Sequence, residues 1–154
     1  MSRKERLRRR GERGAELIEL AFVLPILLLV VSAIMDFGFL FQRYEVVTNA
    51  AREGARMASM PNYTDADIRA RVQQYLAASG LTSPPNPFCT ITAPANVNLS
   101  TGTSIQVRTV TVRYPATFSY IGAFAALVGG GNWSSIMLTA QSTMRTEPGM
   151  AGGS

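Results

Sequence analysis

Few side chains in this chain could do chemistry, and two of them stand in an unfavourable place. Glu16 and Glu19 lie at the threshold of a long apolar run, within the stretch RRRGERGAELIELAFVLPILLLVVSAIMDF that spans Arg8–Phe37. A carboxylate carried to the centre of a bilayer costs about 2.5–3.5 kcal/mol on insertion scales. An ordinary anchor has little reason to hold two acids there. The chemistry open to such a group is ionic pairing in a poorly solvated setting, where a buried charge is tolerated when an opposite charge matches it. Catalysis finds less support. The chain has no histidine, which removes imidazole acid–base work, His-based triads and His metal sites. Cys89 is the only cysteine, so an intramolecular disulfide and a cysteine-based zinc site are excluded. Beyond Met60 the only acids are Asp65, Asp67 and Glu147, which leaves little for a hydrolase built on paired carboxylates. From this composition no enzyme, metal or cofactor is expected.

The elements that position the two acids are set first by charge. Residues 1–14 hold seven basic and two acidic side chains, whereas residues 15–154 hold eight of each. The formal charge of +5 therefore belongs to the N-terminal tail. A basic tail can bind nucleic acid, but this one abuts an apolar run, where the positive-inside rule accounts for it better. It predicts a cytoplasmic N-terminus, an extracytoplasmic remainder and no nucleic-acid partner. Leu20 to Met35 carry no charge, and after Asp36 the apolar character resumes with Phe37, Phe39, Leu40 and Phe41. The 22 residues from Leu20 to Phe41 make about 33 Å of helix, enough to cross a hydrocarbon core of roughly 30 Å. Pro25 deprives the Ala21 carbonyl of its helical partner, which predicts a kink or a melted turn. Asp36, about 24 Å along the helix from Leu20, reads as an acid of the outer interface.

Helical periodicity continues past the membrane run. Phe37, Phe41, Tyr44, Val47, Ala51, Gly54 and Ala58 recur at steps of three and four, and no proline intervenes before Pro61. One helix is predicted from about Glu16 to Ser59, apolar in its inner half and amphipathic in its outer half. Ala50, Gly54 and Ala58 form a row of small residues that lets another element approach closely. Both the chain's own globular part and a neighbouring subunit fit that role. A secretory signal with Val31-Ser32-Ala33 as its cleavage site is the rival reading; the long apolar run and unbroken helical pattern oppose it.

The remainder predicts a small α+β domain. Thr64 and Asp67 have capping-box spacing. A helix should follow with Ile68, Val72, Tyr75 and Leu76 facing inward, ending at Gly80. Three prolines between Thr82 and Pro87 mark a loop. Strands are predicted at Cys89–Ala93, at Ile105–Tyr114 and along the alternation of Ile136, Leu138, Ala140 and Met144. In the second strand the apolar positions change phase after Val107, which a bulge near Thr109 or burial on both faces would explain. Phe118–Val128 reads as a short helix or as a loop packed on the sheet or the membrane. The whole is a long N-terminal helix against a small antiparallel sheet. The expected segments are a basic leader (1–14), the transmembrane and extended helix (15–60), an extracytoplasmic domain (61–148) and a flexible tail (149–154).

These features together resemble type IV pilin-class proteins, and most closely the TadE-like minor pseudopilins of tight-adherence (Tad/Flp) pilus systems. The resemblance rests on Arg13-Gly14, on Ala15-Glu16-Leu17-Ile18-Glu19-Leu20, on Ala21-Phe22-Val23-Leu24-Pro25, on Asp36-Phe37-Gly38 and on Asn49-Ala50-Ala51-Arg52-Glu53-Gly54-Ala55-Arg56. Leu138 through Arg145 also resemble the family's last strand, and Leu20 stands where the family commonly has an aromatic residue. The resemblance implies cleavage between Gly14 and Ala15 by a membrane aspartic prepilin peptidase. It implies that Glu19, fifth in the cleaved chain, pairs with the free amine of a neighbouring subunit. It further implies residence in the cytoplasmic membrane, with other pilin or pseudopilin subunits and the assembly machinery as partners. The alternative is an uncleaved single-pass protein whose outer domain binds a ligand or partner.

Overall fold

Seven elements follow one another in the computed structural model: α1 (Arg3–Ala58), α2 (Asp65–Ala78), β1 (Cys89–Ile91), β2 (Ala95–Asn98), β3 (Ser104–Thr117), α3 (Tyr120–Leu127) and β4 (Ser135–Arg145). The structure describes residues 3–82, 84–98, 104–127 and 135–146; the glycine run at 129–131 and the tail at 149–154 lie outside them. The class is α+β, as the sequence predicts. Two expectations are corrected. α1 starts at Arg3 rather than near Glu16, because residues 3–13 are mostly strong helix formers and place Glu5 three and four residues before Arg8 and Arg9. Of the two outcomes expected at Pro25, the melted turn does not occur: the helix continues through it, since one missing hydrogen bond does not end a transmembrane helix.

The chain divides into two compact units, one holding residues through Gly38 together with 118–134, the other holding 39–117 and 135–154. In the first unit every side chain from Glu16 to Val31 is exposed. By length and composition the helix from Glu16 to Ala58 can cross a membrane, and none of its most apolar window is buried. A core helix of a soluble protein would pass the same test of length but would be covered.

In the second unit the outer part of α1, α2 and the sheet enclose the core. Val47, Ala50, Ala51, Ala55 and Ala58 of α1 meet Ile68, Val72 and Leu76 of α2 and Val110, Val112 and Ala140 of the sheet. The α2 termini are set locally. The Thr64 hydroxyl accepts from the Asp67 amide at 3.3 Å while the Asp67 carboxylate accepts from the Thr64 amide at 2.9 Å, a complete capping box. The Thr64 hydroxyl also donates to the Asp67 carboxylate at 2.7 Å, and this bond, with that from the Thr64 amide, holds the Asp67 carboxyl below its ordinary range. At the other end Gly80 takes φ +80°, the Gly80 amide donates to Ala77 and the Leu81 amide to Leu76. That is a Schellman stop, and it buries Leu81.

β3 is the centre of a four-stranded antiparallel sheet. It pairs with β4 in one unbroken register from Val107↔Arg145 to Thr117↔Ser135. β1 takes Val110 to Val112 and β2 takes Ser104 to Val107. The ladder with β4 contains no bulge. The phase change after Val107 marks the place where β3 exchanges one partner for another: Val110, Val112 and Ala116 are buried, whereas Ile105 and Val107 belong to the stretch paired with β2. The sequence predicts three strands; the fourth, β2, is only four residues long and exposed along its whole length, and two of the four are asparagine, a residue depleted in strands.

Candidate processing and assembly site

Gly14 and Ala15 lie within α1, one turn before Glu19. A Cβ added at Gly14 would meet nothing within 4 Å among the described residues. Glycine in a helix interior is less favourable than alanine by roughly 0.5–1 kcal/mol. The helix is therefore intrinsically weak where it would have to open into the extended form a peptidase takes. Glu16 and Glu19 are both exposed, three residues apart and so on neighbouring positions of one helix face. Among the described residues neither carboxylate has a hydrogen-bond or ion-pair partner. Around them Leu17, Ile18, Leu20 and Phe22 are also exposed. Among the described residues the arrangement is an exposed apolar helix that carries two carboxylates without partners, one turn beyond Gly14 and Ala15.

Asp36, the third acid of this stretch, behaves differently. It is 4 % exposed, and its carboxylate accepts hydrogen bonds from the backbone amides of Ser119 at 3.0 Å, Tyr120 at 3.0 Å and Ile121 at 2.6 Å. These are the first donors of α3, the groups a helix N-terminus leaves without intrahelical partners, and the helix dipole favours an anion there. Phe37 adds an edge-to-face contact with Phe118 at 6.5 Å. From the sequence Asp36 reads as an interfacial acid. Its partners escape such a reading because they are main-chain amides, which carry no residue signature.

The small-residue row lies in the second unit. Ala50 and Ala58 are fully buried. At Gly54 an added Cβ would stand 2.8 Å from Val72 Cγ2 and 3.1 Å from Val110 Cγ1. Here the close approach is made by the chain's own α2 and β3. Beside it Glu53 accepts from Arg56 at 2.9 Å and from Arg71 of α2 at 3.3 Å. The Arg56 guanidinium holds the Glu53 carboxyl below its ordinary range.

Two further features are accounted for within this unit. A cleft of about 430 Å³ lies between Phe39, Arg43 and Val46 of α1 and Tyr114 and Thr117 of β3. Two of its polar side chains are already engaged: Arg43 donates to the Thr117 carbonyl at 3.1 Å and Tyr114 to that of Thr82 at 2.9 Å. Cys89 is buried, and burial pushes its thiol up to about 11 despite the nearby Arg69. Maleimide at pH 7 should leave Cys89 of the folded protein unmodified over a time in which the denatured protein reacts fully; equal rates would show that β1 opens readily. Because the folded value lies above the ordinary 9.0, the thiol's contribution to stability is intact below pH 9 and is lost as pH rises toward 11.

A family model described as TadE-like protein matches residues 14–56. The resemblance read from the sequence holds over that stretch, which opens on Gly14 itself and ends in the outer part of α1. No curated protein and no solved structure matches the chain.

Proposed function

We propose that this chain is a minor pseudopilin of a Tad-type pilus, made as a precursor and cut between Gly14 and Ala15 by a prepilin peptidase. One observation carries this reading: the TadE-like match begins at Gly14, and the residues just beyond it form an exposed apolar helix in which Glu19 has no partner among the described residues. Seven basic residues precede the apolar run, whereas Arg43, Arg52 and Arg56 are the basic residues that follow on α1. That asymmetry favours a cytoplasmic N-terminus and an extracytoplasmic sheet domain anchored in the inner membrane. Cleavage would remove the basic tail, create a free amine at Ala15 and leave Glu19 to meet the amine of a neighbouring subunit. A carboxylate with no partner is costly in lipid; one matched across a subunit boundary registers the two helices.

Intact-mass measurement of protein purified from its native host tests the cut. The mature chain should lack residues 1–14, and Gly14→Arg should retain them while still inserting, because the apolar run is unchanged. A mature terminus after Ala33 would mean a secretory signal. A wild-type chain that keeps residues 1–14 would mean an uncleaved single-pass anchor.

A further inference from the structure

We infer that α3 is a second membrane contact, its exposed face lying against lipid at the outer boundary of the bilayer. The inference rests on the reading of α1 as the membrane span. α3 belongs to the same compact unit as the apolar part of α1, and its N-terminus is held there by the Asp36 carboxylate through the amides of Ser119, Tyr120 and Ile121. Asp36 lies about 24 Å along α1 from Leu20, where a hydrocarbon core of roughly 30 Å is near its outer limit. The tether therefore sets the depth at which α3 begins. It also satisfies, inside the protein, the amides that a helix start would otherwise expose, as an apolar medium demands.

The composition of α3 names the medium. Its sequence YIGAFAAL has no charged or amide side chain, and residues 118–134 contain no charge at all. The outward positions Tyr120, Ala123 and Ala126 are exposed, at steps of three along one face. A helix lying on a protein in water shows polar residues outward; one apolar all round belongs in a core or a membrane. The single polar atom on this face is the Tyr120 phenol, and tyrosine favours the membrane–water interface. Eight residues make about 12 Å of helix, too short to cross, so α3 rests at the boundary. Lipid is the occupant because this face belongs to the same unit as the exposed Ile34, Met35 and Phe37 of α1.

The test uses the full chain in phosphatidylethanolamine–phosphatidylglycerol vesicles, with a nitroxide label placed singly by Ala123→Cys, Ala126→Cys, Leu28→Cys or Arg69→Cys. The unsubstituted chain labelled in parallel gives the background from Cys89. Collisions with oxygen, which concentrates in lipid, are compared with collisions with a water-soluble nickel chelate. Oxygen should prevail several-fold at 123 and 126, as at 28 in the span, and the chelate should prevail at 69 on α2. Chelate prevailing at 123 and 126 while oxygen prevails at 28 would overturn this proposal and leave the anchor reading standing. Low collision rates with both reagents at 123 and 126 would mean a protein surface, such as a second copy, covers α3, and would also overturn it. Chelate prevailing at 28 would remove the anchor reading and this proposal together.

Discussion

Glu19→Gln is expected to fold, insert and be cleaved like the unaltered chain, and to lose more than a hundredfold in association with its neighbouring subunit. Gln keeps the length and hydrogen-bonding capacity of the side chain, so the substitution removes the charge alone. The Glu19 carboxylate has no partner within its own chain among the described residues, so folding has nothing to lose. In the proposed assembly the substitution leaves a neighbour's amine uncompensated in a poorly solvated place. Removing one member of such a pair costs about 3–5 kcal/mol, and each 1.4 kcal/mol is tenfold in affinity. Glu16→Gln is the matched control, because both acids are exposed and lie three residues apart on one helix face. The measurement is co-purification of neighbouring pilin subunits, or pilus production, from cells in which both variants are processed. Equal behaviour of the two variants would reduce Glu19 to an ordinary interfacial acid.

Gly54→Leu is expected to destabilise the sheet-bearing unit by about 3 kcal/mol, the upper part of the range for overpacked cores. The clash begins at the first added carbon, 2.8 Å from Val72 Cγ2 and 3.1 Å from Val110 Cγ1. Both neighbours are fully buried and branched at Cβ, so neither can swing away at small cost. Gly54→Ala meets the same two atoms but gains about 1 kcal/mol of helix propensity, so its net loss is smaller. Combining Gly54→Ala with Val72→Ala should cost less than the sum of the two, since the second change opens the space the first requires. Gly38→Ala serves as the control, because nothing lies within 4 Å of its added Cβ. Denaturant midpoints of the full chain in detergent micelles, followed by near-ultraviolet circular dichroism, read out the series. A Gly54→Leu midpoint equal to that of the unaltered chain would mean that α2 and β3 do not press on α1 there.

Short-range physics is written into consecutive residues, and that part of the fold is legible along the chain. The uncharged run after Glu19 and the periodicity beyond it determine a long helix, the Thr64–Asp67 spacing determines the start of α2, and Gly80 determines its stop. Alternation marks β4: Leu138 and Ala140 are buried and Thr139 between them is exposed, although Ile136, on the same face, is exposed. The Gly14–Glu19 motif was legible for the same reason, since its residues are neighbours in the chain. The tertiary structure decided the rest. Only folding brings Asp36 to amides 83 to 85 residues away, and those partners are backbone groups that any sequence would offer. Likewise, only folding decides that the close approach at Gly54 is filled by Val72 and Val110 of the same chain. A row of small residues states that something comes near, and not what. β2 was invisible for a related reason: an edge strand exposed along its length owes its existence to the ladder with β3 rather than to a buried face. Local pattern records which face of an element seeks cover, whereas the identity of the cover is a long-range choice that no short stretch of sequence encodes.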